Sequence, residues 1–156
     1  MKIKRIISAA LCIALIGVVQ LEVQAKARLI VDETNPYEEP KLIRVSCYTS
    51  KEGAITFSGQ KVRPGIIAGP KDWLGSIALL YTYEKSEAGQ YLPKEFLGYY
   101  EVLDTGAGMD TDGDGKGDSI INGQSIDIFQ PTSQEADRWV ADYGDYLMIY
   151  LVDGEG

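Results

Sequence analysis

No histidine occurs anywhere in the 156 residues. That excludes the Ser-His-Asp and Cys-His hydrolase arrangements and every histidine-ligated zinc centre. Chemistry on this chain must run on carboxylates, lysine, tyrosine or a hydroxyl. Cysteine is nearly as scarce, with Cys12 and Cys47 alone. Cys12 falls in an N-terminal segment that reads as removable, so Cys47 has no partner for an intramolecular disulfide. It lies in the strand-like run "LIRVSCYTS" and reads as a small buried hydrophobe rather than a nucleophile. No apolar run is long enough to span a bilayer either. Ile6 to Val19 covers 14 residues, against the roughly 20 that a membrane helix needs. Lys2, Lys4 and Arg5 precede this run, and Val23-Gln24-Ala25 follows it with small residues at the positions a signal peptidase reads. Residues 1–25 therefore read as a secretory signal peptide, with no stable membrane insertion after cleavage. Positive charge is the last scarcity. Residues 26–156 hold 12 Lys+Arg against 22 Asp+Glu, a net charge of −10. Binding to nucleic acid or anionic lipid by charge is excluded, because both need a basic surface. The balance suits a secreted, extracellular protein, or one that takes up cations.

What is present is a series of short strands. Residues 26–42 ("KARLIVDETNPYEEPKL") are polar and proline-bearing, and read as an arm or linker. The domain proper is expected over 43–156. Strand-like runs rich in β-branched and aromatic residues occur at 43–51, 76–84, 97–106, 125–129 and 146–154. Short apolar runs between glycines and prolines fill 53–70, and "SEAGQYLPKEF" reads as a hairpin-like excursion. The pattern predicts a small all-β barrel. One helix interrupts it in "PTSQEADRWVADYG". Thr132 and Glu135 form a capping box, Ala136, Trp139, Val140 and Tyr143 share one face, and Gly144 is placed for the C-cap. At about ten residues, such a helix needs tertiary packing to persist.

Six aspartates crowd the stretch from Val102 to Phe129. The inner four, in "DTDGDGKGD", are Asp110, Asp112, Asp114 and Asp118. They stand at positions 1, 3, 5 and 9 of a loop, with Gly115 at position 6. Hard oxygen ligands at this spacing suit Ca²⁺, the Lys116 carbonyl being the expected position-7 ligand. Position 12 is Ile121 where an EF-hand carries a bidentate Glu, so the run is closer to the D-x-D-x-D-G-x-x-D loops of secreted proteins. The alternative is a solvated acidic turn, in which close carboxylates repel one another. The outer two are Asp104, in "LDTG", and Asp127, in "SIDIF". Asp104 before Thr-Gly also fits a plain turn former. Asp127 between two isoleucines points away from the face they bury. It is either a surface carboxylate or one that lines a groove, where desolvation would raise its pKa and equip it to donate a proton.

These residues resemble the 3D (three-aspartate) domain, shared by the membrane-bound lytic transglycosylase A family and the Gram-positive stationary-phase muralytic proteins. The elements that carry the resemblance are "SCYTS", "TFSG" (56–59), "IAGP…WLGS" (67–76), "DTGAG…IINGQSIDIF" and "EADRWVADYG…YLMIYLV". Their order and spacing agree over about residues 43–153, and the D-T-G…I-D-I-F pair is the specific part. The resemblance implies a small six-stranded double-psi β-barrel with one short amphipathic helix near the C-terminus. It implies cleavage of the MurNAc–GlcNAc bond of peptidoglycan glycan strands without a catalytic cofactor. Asp127 would be the acid/base and Asp104 its supporting neighbour, with Thr105 and Gly106 shaping the turn at the substrate. Two departures stand out. The family's A-V-D-P has become Ala68-Gly69-Pro70, leaving Asp72 as the nearest substitute for the third aspartate. The family's I-K-G segment is interrupted by the calcium-like loop, with Ile121-Asn122-Gly123 as its remnant.

Two other readings remain open on the sequence. "VLDTGAG" matches the aspartic-protease element, although "IING" follows too soon for an intervening flap. A calcium-ordered, non-catalytic glycan-binding module would use exposed tyrosines, of which Tyr81, Tyr83, Tyr91, Tyr99 and Tyr100 cluster in the chain.

Overall fold

The computed structural model describes residues 40–51 and 53–154. The expected signal peptide and nearly all of the expected arm lie outside the described residues. Six strands and one helix follow in order: β1 (Lys41–Tyr48), β2 (Ile66–Ala68), β3 (Ile77–Lys85), β4 (Tyr91–Asp104), β5 (Ser125–Phe129), α1 (Ser133–Tyr143) and β6 (Tyr146–Val152). A single 3-10 turn spans Lys71–Trp73. The strands close into a ring in the order β1-β5-β2-β4-β3-β6. The β1/β5 and β2/β4 pairs are parallel, and the other four are antiparallel. Closure leaves the ring itself with no open edge.

Alternation along each strand decides what fills the ring. Ile43 and Val45 of β1, Ile67 of β2, Ala78 and Leu80 of β3, Val102 of β4, Ile126 and Ile128 of β5, and Leu147 and Ile149 of β6 form one buried core. Side chains of opposite parity face outward, and two satellite clusters form there. Ile66, Leu103 and Phe129 pack with Tyr48 and Val62 outside the wall, next to the 49–65 segment. Ile77, Leu79 and Val152 pack with Tyr81, Tyr99 and Tyr150. Cys47 packs against the main core but is only half-buried, where its strand position predicted a buried side chain.

Helix α1 is capped as the sequence predicts. Thr132 Oγ1 accepts from the Glu135 backbone N–H at 3.2 Å, and Gly144 closes the other end at φ +82°. Its apolar face is shallow: Ala136, Trp139 and Val140 are half-buried, and no residue of the helix is fully buried. Trp139 packs against the main core. Strand β4 is longer than expected. It begins at Tyr91 and pairs with β3 back to Tyr91↔Lys85, so the anticipated excursion is a continuous hairpin arm. Pro93 fits within it because the arm is two-stranded and its outer edges need no donor.

Candidate active site

Register brings the two outer aspartates into one row. Asp104 at the end of β4 pairs with Ala68 of β2, Ala68 pairs with Asp127 of β5, and Asp127 pairs with Ser46 of β1. Neighbouring strands lie about 4.8 Å apart, so the Cα atoms of Asp104 and Asp127 stand roughly 10 Å apart, two strands away. A register shift between Ile67 and Ala68 lets both Leu103 and Asp104 leave the interior. Ala68, buried between the two carboxylates, contributes only a methyl group to the space that separates them.

The two carboxylates have different surroundings. Both oxygens of Asp104 are engaged. Oδ1 accepts from the backbone N–H of Phe57 and of Thr105, each at 3.0 Å, and Oδ2 accepts from the Tyr48 hydroxyl at 3.1 Å. Asp104 thereby ties the 54–62 turn and Tyr48 to the end of β4. Asp127 is half-buried and accepts on Oδ1 from the Ser46 hydroxyl. Among the described residues nothing bonds its Oδ2. Asp127 can therefore face a ligand with one oxygen while Ser46 orients the other, whereas Asp104 is committed to holding structure.

The neighbours register both charges. Burial is the first cause that pushes the Tyr48 phenol up from 10.0, followed by the charge of Asp104, the hydrogen bond to it, and the charge of Asp127. Burial and then the charge of Asp127 push the Cys47 thiol up from 9.0 to about 11. Cys47 is thus held as the neutral thiol, which removes it as a nucleophile. Beside Asp127 opens a cleft of about 460 Å³, walled by β1, β5, the Gly108–Met109 corner, Val140 of α1 and Asp145.

The other expected site residues divide. Thr105 and Gly106 lie half-buried at the turn after Asp104, and Thr105 contributes its N–H. Asp72 is exposed on the 3-10 turn and has no hydrogen-bond or ion-pair partner among the described residues. The position of the family's third aspartate is closely packed. A Cβ on Gly69 would lie 3.2 Å from Val102 Cγ1 and 3.3 Å from Trp73 Cε3. Trp73 packs against the main core there.

Of the inner aspartates, Asp110, Asp112 and Asp114 converge, with one oxygen from each within 4.8 Å of the others. Asp110 accepts from Gly113 N at 2.6 Å and Gly115 N at 2.9 Å, and these bonds hold its carboxyl below the usual carboxylate range. Gly113 and Gly115 adopt φ +81° and +85°, which the tight turn requires. Lys116 donates its N–H to Asp114 Oδ1 at 2.8 Å. Asp118 stands outside the group. Its Oδ1 accepts from Thr111 N and Oγ1, and its Oδ2 from Asn122 Nδ2, so it fastens the loop instead. The loop is closed at its base by Asp118 N and Ser119 N donating to the Met109 carbonyl. Gly108 sits at φ +75°, where a Cβ would fall 2.2 Å from Ser119 Oγ. That base, Gly108–Met109, is also the wall of the cleft beside Asp127.

The sequence reading did not single out Ser46, Tyr48, Phe57 or Arg44. The signal for the first three was present in "SCYTS" and "TFSG", which flank the site in the resemblance, but not the contacts they make.

No protein-family model matches the chain, and no curated protein matches it. Among solved structures, the chain is similar to an apo form of a variant of the E. coli lytic transglycosylase MltA. The match has 16% identity and a TM-score of 0.42, and covers 69% of this chain and 29% of that one. Much of that longer protein therefore has no counterpart here. No helix among the described residues is long and apolar enough to cross a membrane.

Proposed function

We propose that this chain is a secreted lytic transglycosylase that cleaves the MurNAc–GlcNAc bond of peptidoglycan with Asp127 as its single acid/base. The carrying observation is the unequal engagement of the two outer carboxylates: Asp127 keeps an oxygen free beside an open cleft, while Asp104 has none to spare. A two-carboxylate hydrolase needs both groups available, one for the leaving group and one for water or the sugar. A single free carboxyl suits intramolecular transfer. Protonated Asp127 gives its proton to the glycosidic oxygen as the bond from that oxygen to C1 breaks. The resulting carboxylate takes the proton of the same sugar's C6 hydroxyl as O6 bonds to C1. The product is a 1,6-anhydro sugar, Asp127 is again protonated, and no water is consumed. Ser46 orients the carboxyl, and Asp104 ties Tyr48 and the 54–62 turn to the end of β4. The closed ring with two parallel pairs supports reading the fold as a double-psi β-barrel.

The loop of Asp110, Asp112 and Asp114 would hold a structural Ca²⁺. Oxygens within 4.8 Å of one another fit around a cation whose ligands lie about 2.4 Å away. The ion would rigidify the Gly108–Met109 wall and take no part in the reaction.

A second reading, a non-catalytic glycan-binding module, is favoured by one feature. Tyr81–Phe96 (tilted) and Phe96–Tyr99 (edge-to-face) pack with centroids 5.0 and 4.8 Å apart on the hairpin arm, and Tyr83 meets Tyr91 edge-to-face at 5.5 Å. Tyr83, Tyr91 and Phe96 are exposed. Tyr100 is not part of this stripe, because it packs against the main core.

Digestion of purified peptidoglycan separates the two readings. Residues 26–156 should release anhydro-muropeptides, and Asp127→Asn should lower release by about 10²-fold or more. Asp104→Ala should instead lower thermal stability, by about 1–3 kcal/mol for the donors it leaves unpaired. Retention on the sacculus with no release from the unaltered chain would favour the binding module.

A further inference from the structure

The cleft beside Asp127 contains one cation, Arg44, and its placement is unusual. Arg44 and Ser46 are two residues apart on the outward face of β1. Ser46 pairs with Asp127, and Arg44 pairs with Ser125 on β5 and with Tyr146 on β6. Arg44 and Asp127 are thus diagonal neighbours on one face of a parallel pair, with Cα atoms roughly 8 Å apart from the strand spacing and rise. Asp127 and Asp145 line the same cleft. Yet the guanidinium makes no ion pair and no side-chain hydrogen bond with either, or with any other described residue. The ion pair among them is Arg63–Glu101 at 2.9 Å, outside the cleft lining. A half-buried guanidinium with five donors, beside two carboxylates it does not touch, is set up for a third party. Asp127 and Asp145 carry the other charges of the lining, so an anion entering this cleft has Arg44 as its one cationic partner there.

We propose that Arg44 forms a subsite for a carboxylate carried by the saccharide, next to the bond that Asp127 cleaves. A planar guanidinium matches a carboxylate by two parallel N–H···O bonds, which a hydroxyl cannot reproduce. This rests on the transglycosylase reading for its substrate class. Muramic acid provides that carboxylate in two ways. In peptide-free glycan it is the lactyl carboxyl itself; in peptide-bearing glycan the lactyl group is an amide and the carboxyls belong to the stem. Ser46 stays bonded to Asp127, and the Ser125 hydroxyl is buried against Ser119 Oγ at 2.7 Å, so Arg44 is the side-chain donor of the lining left for the carboxylate.

The experiment is calorimetric binding to the Asp127→Asn chain, which prevents turnover. Three probes are used: peptide-free peptidoglycan oligosaccharide, the same oligosaccharide with stems, and a neutral GlcNAc oligomer of equal length. At least one carboxylated probe is expected to bind about tenfold or more tighter than the neutral one. Arg44→Gln added to that chain should erase the difference, and Arg44→Lys should restore part of it. The neutral oligomer should bind equally to all three variants. Preference for the peptide-free probe would identify the lactyl carboxyl, and preference for the stem-bearing probe the peptide. Equal binding of all probes by the Arg44 chain, a preference that survives Arg44→Gln, or no binding of any probe would overturn the proposal. Digestion of peptidoglycan by chains that keep Asp127, with and without Arg44→Gln, is read in parallel. Carboxylate discrimination through Arg44 without any anhydro product would sink the transglycosylase reading and leave the subsite standing. Anhydro product formed equally by both chains, with no discrimination in binding, would do the reverse.

Discussion

At the scale of single residues, hydrogen-bond occupancy distinguishes Asp127 from Asp104. Both are half-buried acids on one row of one wall, but three donors converge on Asp104 and one on Asp127. Their charges leave a mark on the neighbours that can be measured. The folded protein favours neutral Cys47 and Tyr48 over their ionised forms. Folding stability from these groups is therefore complete below their ordinary values and is lost as pH rises past them. Melting temperature should fall from about pH 9 as Cys47 is titrated toward its value of about 11. In Cys47→Ala the decline should start nearer pH 10, where Tyr48 takes over. A profile with the same onset in both proteins would contradict this. Gly69 gives a second test. The resemblance places an aspartate here, but Val102 and Trp73 leave a Cβ only 3.2–3.3 Å. Gly69→Asp should destabilise by about 1–3 kcal/mol through overpacking and should not raise activity. A gain in product release without loss of stability would show that Trp73 yields easily.

At the scale of elements, the sequence was most informative where the signal is local. Alternation in "SIDIF" put Asp127 outside the face of Ile126 and Ile128, and so it stands. The capping box and Gly144 delimited α1 because caps involve residues three or four apart. The hairpin in "SEAGQYLPKEF" was legible, but not that β4 runs unbroken from Tyr91 through Pro93 to Asp104, because that depends on pairing with β3. In the acidic loop the alternate spacing pointed to Asp110, Asp112 and Asp114, whose carboxylates do converge, whereas Asp118, counted with them, is bonded by Thr111 and Asn122. The consequence of that loop for the site was not legible, since it depends on Gly108–Met109 forming both the base of the loop and the wall of the cleft. If the loop holds Ca²⁺, millimolar Ca²⁺ should raise the melting temperature of residues 26–156 and a chelator should reverse the rise. Asp112→Asn should abolish the response while leaving the calcium-free melting temperature unchanged. Identical melting with and without Ca²⁺ would leave the cluster as a solvated turn.

At the scale of the whole molecule, ring closure is what creates the site. The strands that carry Ser46, Ala68, Asp104 and Asp127 are neighbours in space but scattered in sequence. Ser46 and Asp127 are 81 positions apart and Tyr48 and Asp104 are 56 apart. Five of the six strands could be read from local pattern, the three-residue β2 being too short to show one, yet the order β1-β5-β2-β4-β3-β6 could not, because parallel pairing between distant segments leaves no local trace. The same nonlocality hid Arg44, whose meaning comes from Asp127 across the strand boundary. The central claim is that one carboxyl on this ring cleaves glycan by internal transfer, without water. The most direct measurement is digestion of peptidoglycan in H₂¹⁸O with mass analysis of the new ends. Anhydro ends free of ¹⁸O are expected. Reducing ends that carry ¹⁸O would mean that water is the acceptor, and the single-carboxyl mechanism would then be wrong.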